Sequence, residues 1–272
     1  MALRFYWIDA FAAEPFTGNP AGVVPLDRWL PDRTMQQIAF ENGLAETAFF
    51  VPIDNANGAH FQLRWFTPAV EVDLCGHATL AAGHVVLREL GNAAPFVTFE
   101  SRSGPLRVSR AGDKLELDFP ATPVSQETDA AVAARVQQAL GVPVVWQGRS
   151  VFDRFAVLAD EATVRAVQPD LLSVVAAGGR GLIVSAPADH CDFVSRFFAP
   201  QVGVPEDPVT GSAHCALAPY WAERLGRSRL RAKQVSRRGG QLWCEVVSGM
   251  EGMRVKIAGH ATLYLRGELS VA

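Results

Sequence analysis

Phe61-Gln-Leu-Arg64-Trp-Phe66-Thr-Pro68-Ala-Val70-Glu-Val72 is met again as Phe193-Val-Ser-Arg196-Phe-Phe198-Ala-Pro200-Gln-Val202-Gly-Val204. The matched residues stand 132 positions apart (61 and 193, 64 and 196, 66 and 198, 68 and 200). Cys75-Gly76-His77-Ala78 then answers to Thr210-Gly211-Ser212-Ala213, and Ser101-Arg102-Ser103-Gly104 to Ser236-Arg237-Arg238-Gly239, both at a spacing of 135. A three-residue insertion near Pro205 accounts for the change. Three blocks in one order at nearly constant spacing point to an internal duplication. Solenoid units repeat every ~20–50 residues, so a period this long reads as two homologous domains. The Pro120-Ala-Thr-Pro123 break, after the strand-like Lys114 to Phe119, sets the expected domains at 1–120 and 121–272.

Around these blocks the pattern is mixed. Arg4 to Phe11, Thr47 to Val51, Phe61 to Phe66, Phe96 to Glu100 and Leu115 to Phe119 read as strands. Asp32 to Asn42 reads as a helix, with Asp32 as its cap and Met35, Ile38 and Ala39 as an apolar stripe. His77 to Leu90, stopped near Gly91-Asn92, and Ala213 to Leu225, stopped at Gly226, are apolar nearly all round. Such a helix must be buried, and the simplest packing wraps a curved sheet around it. The expected class is α+β, with two pseudo-symmetric halves.

With 272 residues, 49% of them hydrophobic, and a formal net charge of −3, the chain is an ordinary globular protein. That balance offers no electrostatic case for nucleic acid, and no run of ~18 apolar residues suggests a membrane span. Met1 to Asp9 has no secretory pattern, so a cytoplasmic location is expected. Cys75, Cys191, Cys215 and Cys244 match no common zinc spacing and are expected as free thiols, with no metal.

The two glycine turns, Gly76-His77 and Gly211-Ser212, open the two apolar helices. Glycine lets backbone approach a ligand closely, and a helix N-terminus favours an anion. Paired, they suit a carboxylate, and their N–H groups would stabilise charge that develops when a neighbouring C–H loses its proton. Three candidate proton carriers accompany them. Asp207 lies in the insertion that interrupts the duplication; Glu206 beside it reads as a complement to the helix dipole. His77 stands at a helix start, where the dipole should lower its pKa. Glu46 sits on the lip of an apolar strand, where desolvation should raise its pKa.

Several stretches together resemble the phenazine-biosynthesis (PhzF-like) isomerase family, which shares the diaminopimelate-epimerase fold: Asp9-Ala-Phe…Phe16-Thr-Gly-Asn19-Pro20, Leu44-Ala-Glu46-Thr-Ala-Phe, Phe66-Thr-Pro…Leu74-Cys-Gly-His77-Ala-Thr, and Phe198-Ala-Pro…Glu206-Asp207-Pro-Val-Thr-Gly-Ser212-Ala. The resemblance implies domains built as barrel-like, mostly antiparallel sheets around a central helix. It also implies an active site between them, a homodimer and no cofactor. It assigns the proton to Glu46, as in the isomerisation of dihydro-hydroxyanthranilate by the characterised phenazine enzyme. His77 and Asp207 then assist, Gly76 and Ser212 hold substrate, and Asn19 lines the cleft. Gly211 and Cys75 join the substrate-contacting set.

The epimerases of this fold use a thiol before each glycine turn; here those positions hold Cys75 and Thr210. A symmetric two-thiol racemisation is therefore not expected. A one-thiol epimerase or racemase using Cys75, which a helix N-terminus would acidify, remains an alternative. So does a non-catalytic binding protein that keeps the fold. The leading expectation is a cofactor-independent proton-transfer isomerase acting on a small carboxylate-bearing substrate.

Overall fold

The computed structural model describes residues 2–53, 59–249 and 252–271. Its fold is mixed α/β, rich in strands and with few helices. The chain divides into two compact units, Met1–Asp118 with Ala258–Ala272, and Phe119–Ile257.

Unit 1 opens with β1 (Ala2–Ala10), β2 (Asn19–Pro25), α1 (Asp32–Asn42), β3 (Glu46–Pro52), β4 (His60–Phe66) and β5 (Glu71–Val72). Then come α2 (Gly76–His84), β6 (Phe96–Ser101), β7 (Gly104–Ala111) and β8 (Lys114–Pro120). The pairings run β1–β2 antiparallel, β2–β3 parallel, β3–β4 antiparallel, β4–β6 parallel, β6–β7 antiparallel and β7–β8 antiparallel. Unit 2 holds β9 (Ser125–Gln126), α3 (Ala130–Leu140), β10 (Trp146–Arg149), β11 (Arg154–Val157), α4 (Glu161–Ala166) and α5 (Leu171–Ala177). It continues with β12 (Leu182–Pro187), β13 (Phe193–Phe198), α6 (Gly211–Leu225), β14 (Arg229–Gln234) and β15 (Gly240–Gly249). Its pairings run β10–β11 antiparallel, β11–β12 parallel, β12–β13 antiparallel, β13–β14 parallel and β14–β15 antiparallel.

After β16 (Gly252–Gly259), β17 (Ala261–Ser270) returns to unit 1 and pairs antiparallel along the whole of β1. The boundary expected at 120 left the entire C-terminal segment in the second half, and the structure corrects this. A strand's partner is set by long-range pairing, which local pattern does not carry. Two smaller expectations also change. Asp32 is not the cap of α1, whose N-cap is Pro31 with no side-chain hydrogen bond; its carboxylate instead accepts from Arg64 Nη1 at 2.8 Å. Unit 2 also carries α3, α4 and α5, each capped by an Asp side chain (Asp129, Asp160 and Asp170).

The apolar helix of unit 1 is buried as expected. His77 to Gly83 are all buried, and the helix packs against β1, β2, β3, β7 and β17. These strands come from both ends of the pairing order, so the sheet curls around α2. Gly83 permits the close approach: a Cβ there would lie 2.5 Å from Cγ1 of Val108, itself fully buried on β7. Gly83→Ala is therefore expected to destabilise the protein by ~1–3 kcal/mol through overpacking, although alanine favours a helix by up to ~1 kcal/mol. The shift of the urea midpoint measures this, and an unchanged or raised midpoint would contradict the packing.

Candidate active site

In unit 1, residues from three elements converge at the start of α2. Glu46 is the first residue of β3, Asn19 the first of β2, Cys75 the N-cap of α2, and Gly76 and His77 form its first turn. Glu46 Oε2 lies 3.0 Å from His77 Nε2, with the two side chains 18% and 8% exposed. On the far side of the ring, Nδ1 lies 3.2 Å from Asn19 Nδ2 and 3.5 Å from Cys75 Sγ. An Asn amide presents its oxygen or its nitrogen by a half-turn, so Asn19 suits Nδ1 in either protonation state. The turn is fixed from behind, where Thr79 donates its hydroxyl to the Cys75 carbonyl at 2.6 Å.

The electrostatics of this group correct three expectations. Burial pushes the Glu46 carboxyl up, but the charge of His77, with hydrogen bonds from His77 and Cys75, outweighs it and the net shift is down. Burial pulls His77 down, but its contacts with Cys75 and with the Glu46 carboxylate outweigh it and the net shift is well above 6.5. Burial, and then the charge of Glu46, push the Cys75 thiol up, beyond what His77 and the Ala78 N–H restore. The directions together favour a Glu46 carboxylate against a His77 imidazolium, with the Cys75 thiol pushed up. A helix dipole is worth ~0.3–1 kcal/mol, and a carboxylate in direct contact with the ring exceeds it.

In unit 2, Asp207 precedes α6. Its Oδ2 accepts the Thr210 hydroxyl at 2.5 Å, and its backbone N–H donates to Phe197 O at 3.0 Å. Gln234, fully buried on β14, accepts from the Thr210 N–H at 2.9 Å and donates to the Asp207 carbonyl at 2.7 Å. Thr210 is the N-cap of α6 but makes no side-chain cap hydrogen bond. A threonine N-cap ordinarily accepts from the first turn; here its hydroxyl turns to Asp207. Gly211 and Ser212 follow as the first helical residues, and Ser212 Oγ accepts from Arg180 Nη2 at 3.0 Å. Glu206 is no dipole partner in the simple sense: it clamps Arg196 with contacts of 2.7 and 3.1 Å.

Sequence reading missed Arg180, Gln234 and the support of Thr210. The Gly178-Gly179-Arg180-Gly181 run was a usable signal for the first; nothing local marks a buried glutamine 24 residues from its partner. Glu46, Cys75 and His77 also bring one metal-ligating atom each within 4.8 Å of one another. Three such donors are able to hold a divalent ion, at the expense of the Glu46–His77 contact. All four cysteines are free, and among the described residues no helix is long and apolar enough to cross a membrane.

Because Glu46 and Cys75 compete for one imidazolium, Glu46→Gln should lower the Cys75 pKa. Alkylation of the Cys75 peptide by iodoacetamide near pH 8, followed by mass spectrometry, is expected to quicken on the order of tenfold, in step with the larger thiolate fraction. A rate equal to that of the unaltered protein would contradict this geometry.

The family model for phenazine biosynthesis-like proteins (PhzC-PhzF) matches residues 8–267. An uncharacterised isomerase of Pseudomonas aeruginosa is 48% identical over 272 residues, covering 100% of both chains. The crystal structure of a PhzF-family phenazine biosynthesis protein from Enterococcus faecalis superposes with a TM-score of 0.92 at 44% identity, again covering 100% of both chains. A hydroxyproline epimerase from Agrobacterium vitis, at 10% identity, has a TM-score of 0.62 over 99% of this chain and 93% of its own, a likeness of fold alone. With its characteristic stretches matched in order along nearly the whole chain, this protein belongs to the phenazine biosynthesis-like (PhzC-PhzF) family.

Proposed function

We propose that the protein is an isomerase that moves a proton between two carbons of a small carboxylate-bearing substrate, with Glu46 as the acid/base. The observation that carries this reading is the 3.0 Å contact between the Glu46 carboxylate and His77 in a nearly buried setting. His77 keeps Glu46 ionised and so ready to accept a proton. Unit 2 has a helix start of its own, with Ser212, the first N–H groups of α6, and an Asp207 carboxylate that accepts from Thr210.

In this reading Glu46 takes a proton from a carbon conjugated to the substrate's unsaturation. The electron pair delocalises towards the carboxylate end, where N–H donors at a helix start stabilise it. Glu46 then returns the proton to a different carbon. Atoms and charge balance within the substrate, so the cycle requires no cofactor. The one-thiol alternative draws less support, because burial and Glu46 hold Cys75 protonated.

The duplication read from the sequence also belongs to this proposal, and local matches support it. Arg64 clamps Glu71 at 2.7 and 2.8 Å with its guanidinium 5.2 Å from the Phe66 ring. Arg196 clamps Glu206 at 2.7 and 3.1 Å with its guanidinium 4.8 Å from the Phe198 ring. Thr79 and His214, 135 positions apart, each donate from the side chain to the N-cap carbonyl of their helix, at 2.6 and 2.8 Å. The succession of antiparallel and parallel pairings from β1 to β7 recurs from β10 to β15.

Incubation in heavy water with a panel of cyclic and acyclic unsaturated carboxylates tests the function. Deuterium incorporation is expected for a member of the panel, with Glu46→Gln reducing it by at least ~100-fold, the scale of a lost general base, and Cys75→Ala by much less. Incorporation that survives in Glu46→Gln but is abolished in Cys75→Ala would transfer the chemistry to the thiol.

A further inference from the structure

The loop between α5 and β12 delivers an arginine to the start of α6. Gly178 and Gly179 take φ values of 73° and 82°, in the left-handed region where a side chain is strained. A Cβ on Gly181 would meet the Phe197 ring at 2.4 Å. Within this loop Arg180 donates from Nε to Asp153 Oδ1 at 3.0 Å and from Nη2 to Asp153 Oδ2 at 2.6 Å. Asp153 is 3% exposed, and the guanidinium lies 5.6 and 5.4 Å from the Phe152 and Phe197 rings. Its orientation is thus over-determined.

The third bond decides the chemistry. Arg180 Nη2 donates to Ser212 Oγ at 3.0 Å, and an arginine only donates. Ser212 therefore spends a lone pair on Arg180 and keeps its own proton for another acceptor. Among the described residues no acceptor takes that proton, and Arg180 Nη1 has no partner either. Two donors on bonded neighbours, Ser212 and Arg180, are thus left at the start of α6, near its first-turn N–H groups.

We propose that Arg180 is a positioning and specificity residue: it fixes Ser212 as a hydrogen-bond donor and, with its own Nη1, selects ligands that bear a carboxylate. This rests on the reading of Ser212 as a substrate contact. Asp153 holds the guanidinium by its Nε–Nη2 edge, which leaves the Nη1 side for the ligand. Lysine cannot replace it, because one ammonium cannot hold the planar two-point contact to Asp153 and also serve Ser212 in a fixed geometry.

The test is equilibrium binding of benzoate and of its neutral isostere benzamide by titration calorimetry, at one pH and ionic strength. The unaltered protein is expected to prefer benzoate by at least ~10-fold, in line with a charge-assisted contact. Arg180→Gln combined with Asp153→Asn, which leaves no unpaired buried carboxylate, is expected to erase that preference while benzamide affinity stays within about twofold. Arg180→Lys should give an intermediate preference. If the double variant does not fold, Ser212→Ala, which leaves the Arg180–Asp153 pair intact, should still cut the preference several-fold. No preference in the unaltered protein, or an undiminished one in the double variant or in Ser212→Ala, overturns the proposal. Binding is read without turnover, so a failure of proton transfer and a failure of carboxylate selection are separate results.

Discussion

A carboxylate and an imidazole 3.0 Å apart at the first turn of a buried helix set the terms for everything around them. A protonated histidine at a helix N-terminus faces the positive end of the dipole and loses solvation, so alone it would be neutral. Cys75 and Glu46 reverse that, and the reversal has consequences for each neighbour. The carboxylate stays ionised although β3 holds it largely out of water. The thiol of Cys75 is left as a donor rather than a nucleophile. The Asn19 amide, on a third element, serves whichever form of the ring it meets. None of this follows from one residue's burial; it follows from three elements meeting where α2 begins.

Unit 2 solves a different problem at its own helix start. Where unit 1 places Cys75, unit 2 places Thr210, a hydroxyl with no useful acidity of its own. The structure uses it to orient Asp207, and the buried Gln234 ties both to the helix turn. The diversion of the Thr210 side chain leaves α6 without its ordinary cap, whereas α3, α4 and α5 each receive an Asp. Unlike α3, α4 and α5, α6 has its N-cap side chain engaged elsewhere, and its first turn meets Arg180 through Ser212. That contrast lies within a single unit, so it does not depend on how any other part of the chain is placed.

The features legible in the sequence are those encoded locally. The apolar runs after Gly76 and Gly211, and the glycine stops at Gly91 and Gly226, fix two buried helices because burial demands apolar residues on every face. Repeated blocks align Arg64 with Arg196 in sequence, although their glutamate clamps emerge only in three dimensions. The directions of the pKa shifts at Glu46, His77 and Cys75 were not legible: burial and dipole are readable from position, but a neighbour 29 or 31 residues away in sequence is not. The return of β17 to β1 and the approach of Arg180 to Ser212 escaped for the same reason. Composition patterns report which face is buried, and chain pairing reports what it is buried against.

Glu46, with Cys75, favours the imidazolium form of His77. Nitrogen-15 chemical shifts of the His77 ring, followed by NMR from about pH 5 to about pH 9 around the ordinary histidine value, test it directly. Both ring nitrogens are expected to remain protonated as pH rises past 6.5, with deprotonation displaced upward, and Glu46→Gln is expected to bring that transition down. A ring already neutral near pH 6.5 in the unaltered protein, or one whose titration is the same in Glu46→Gln, would contradict it.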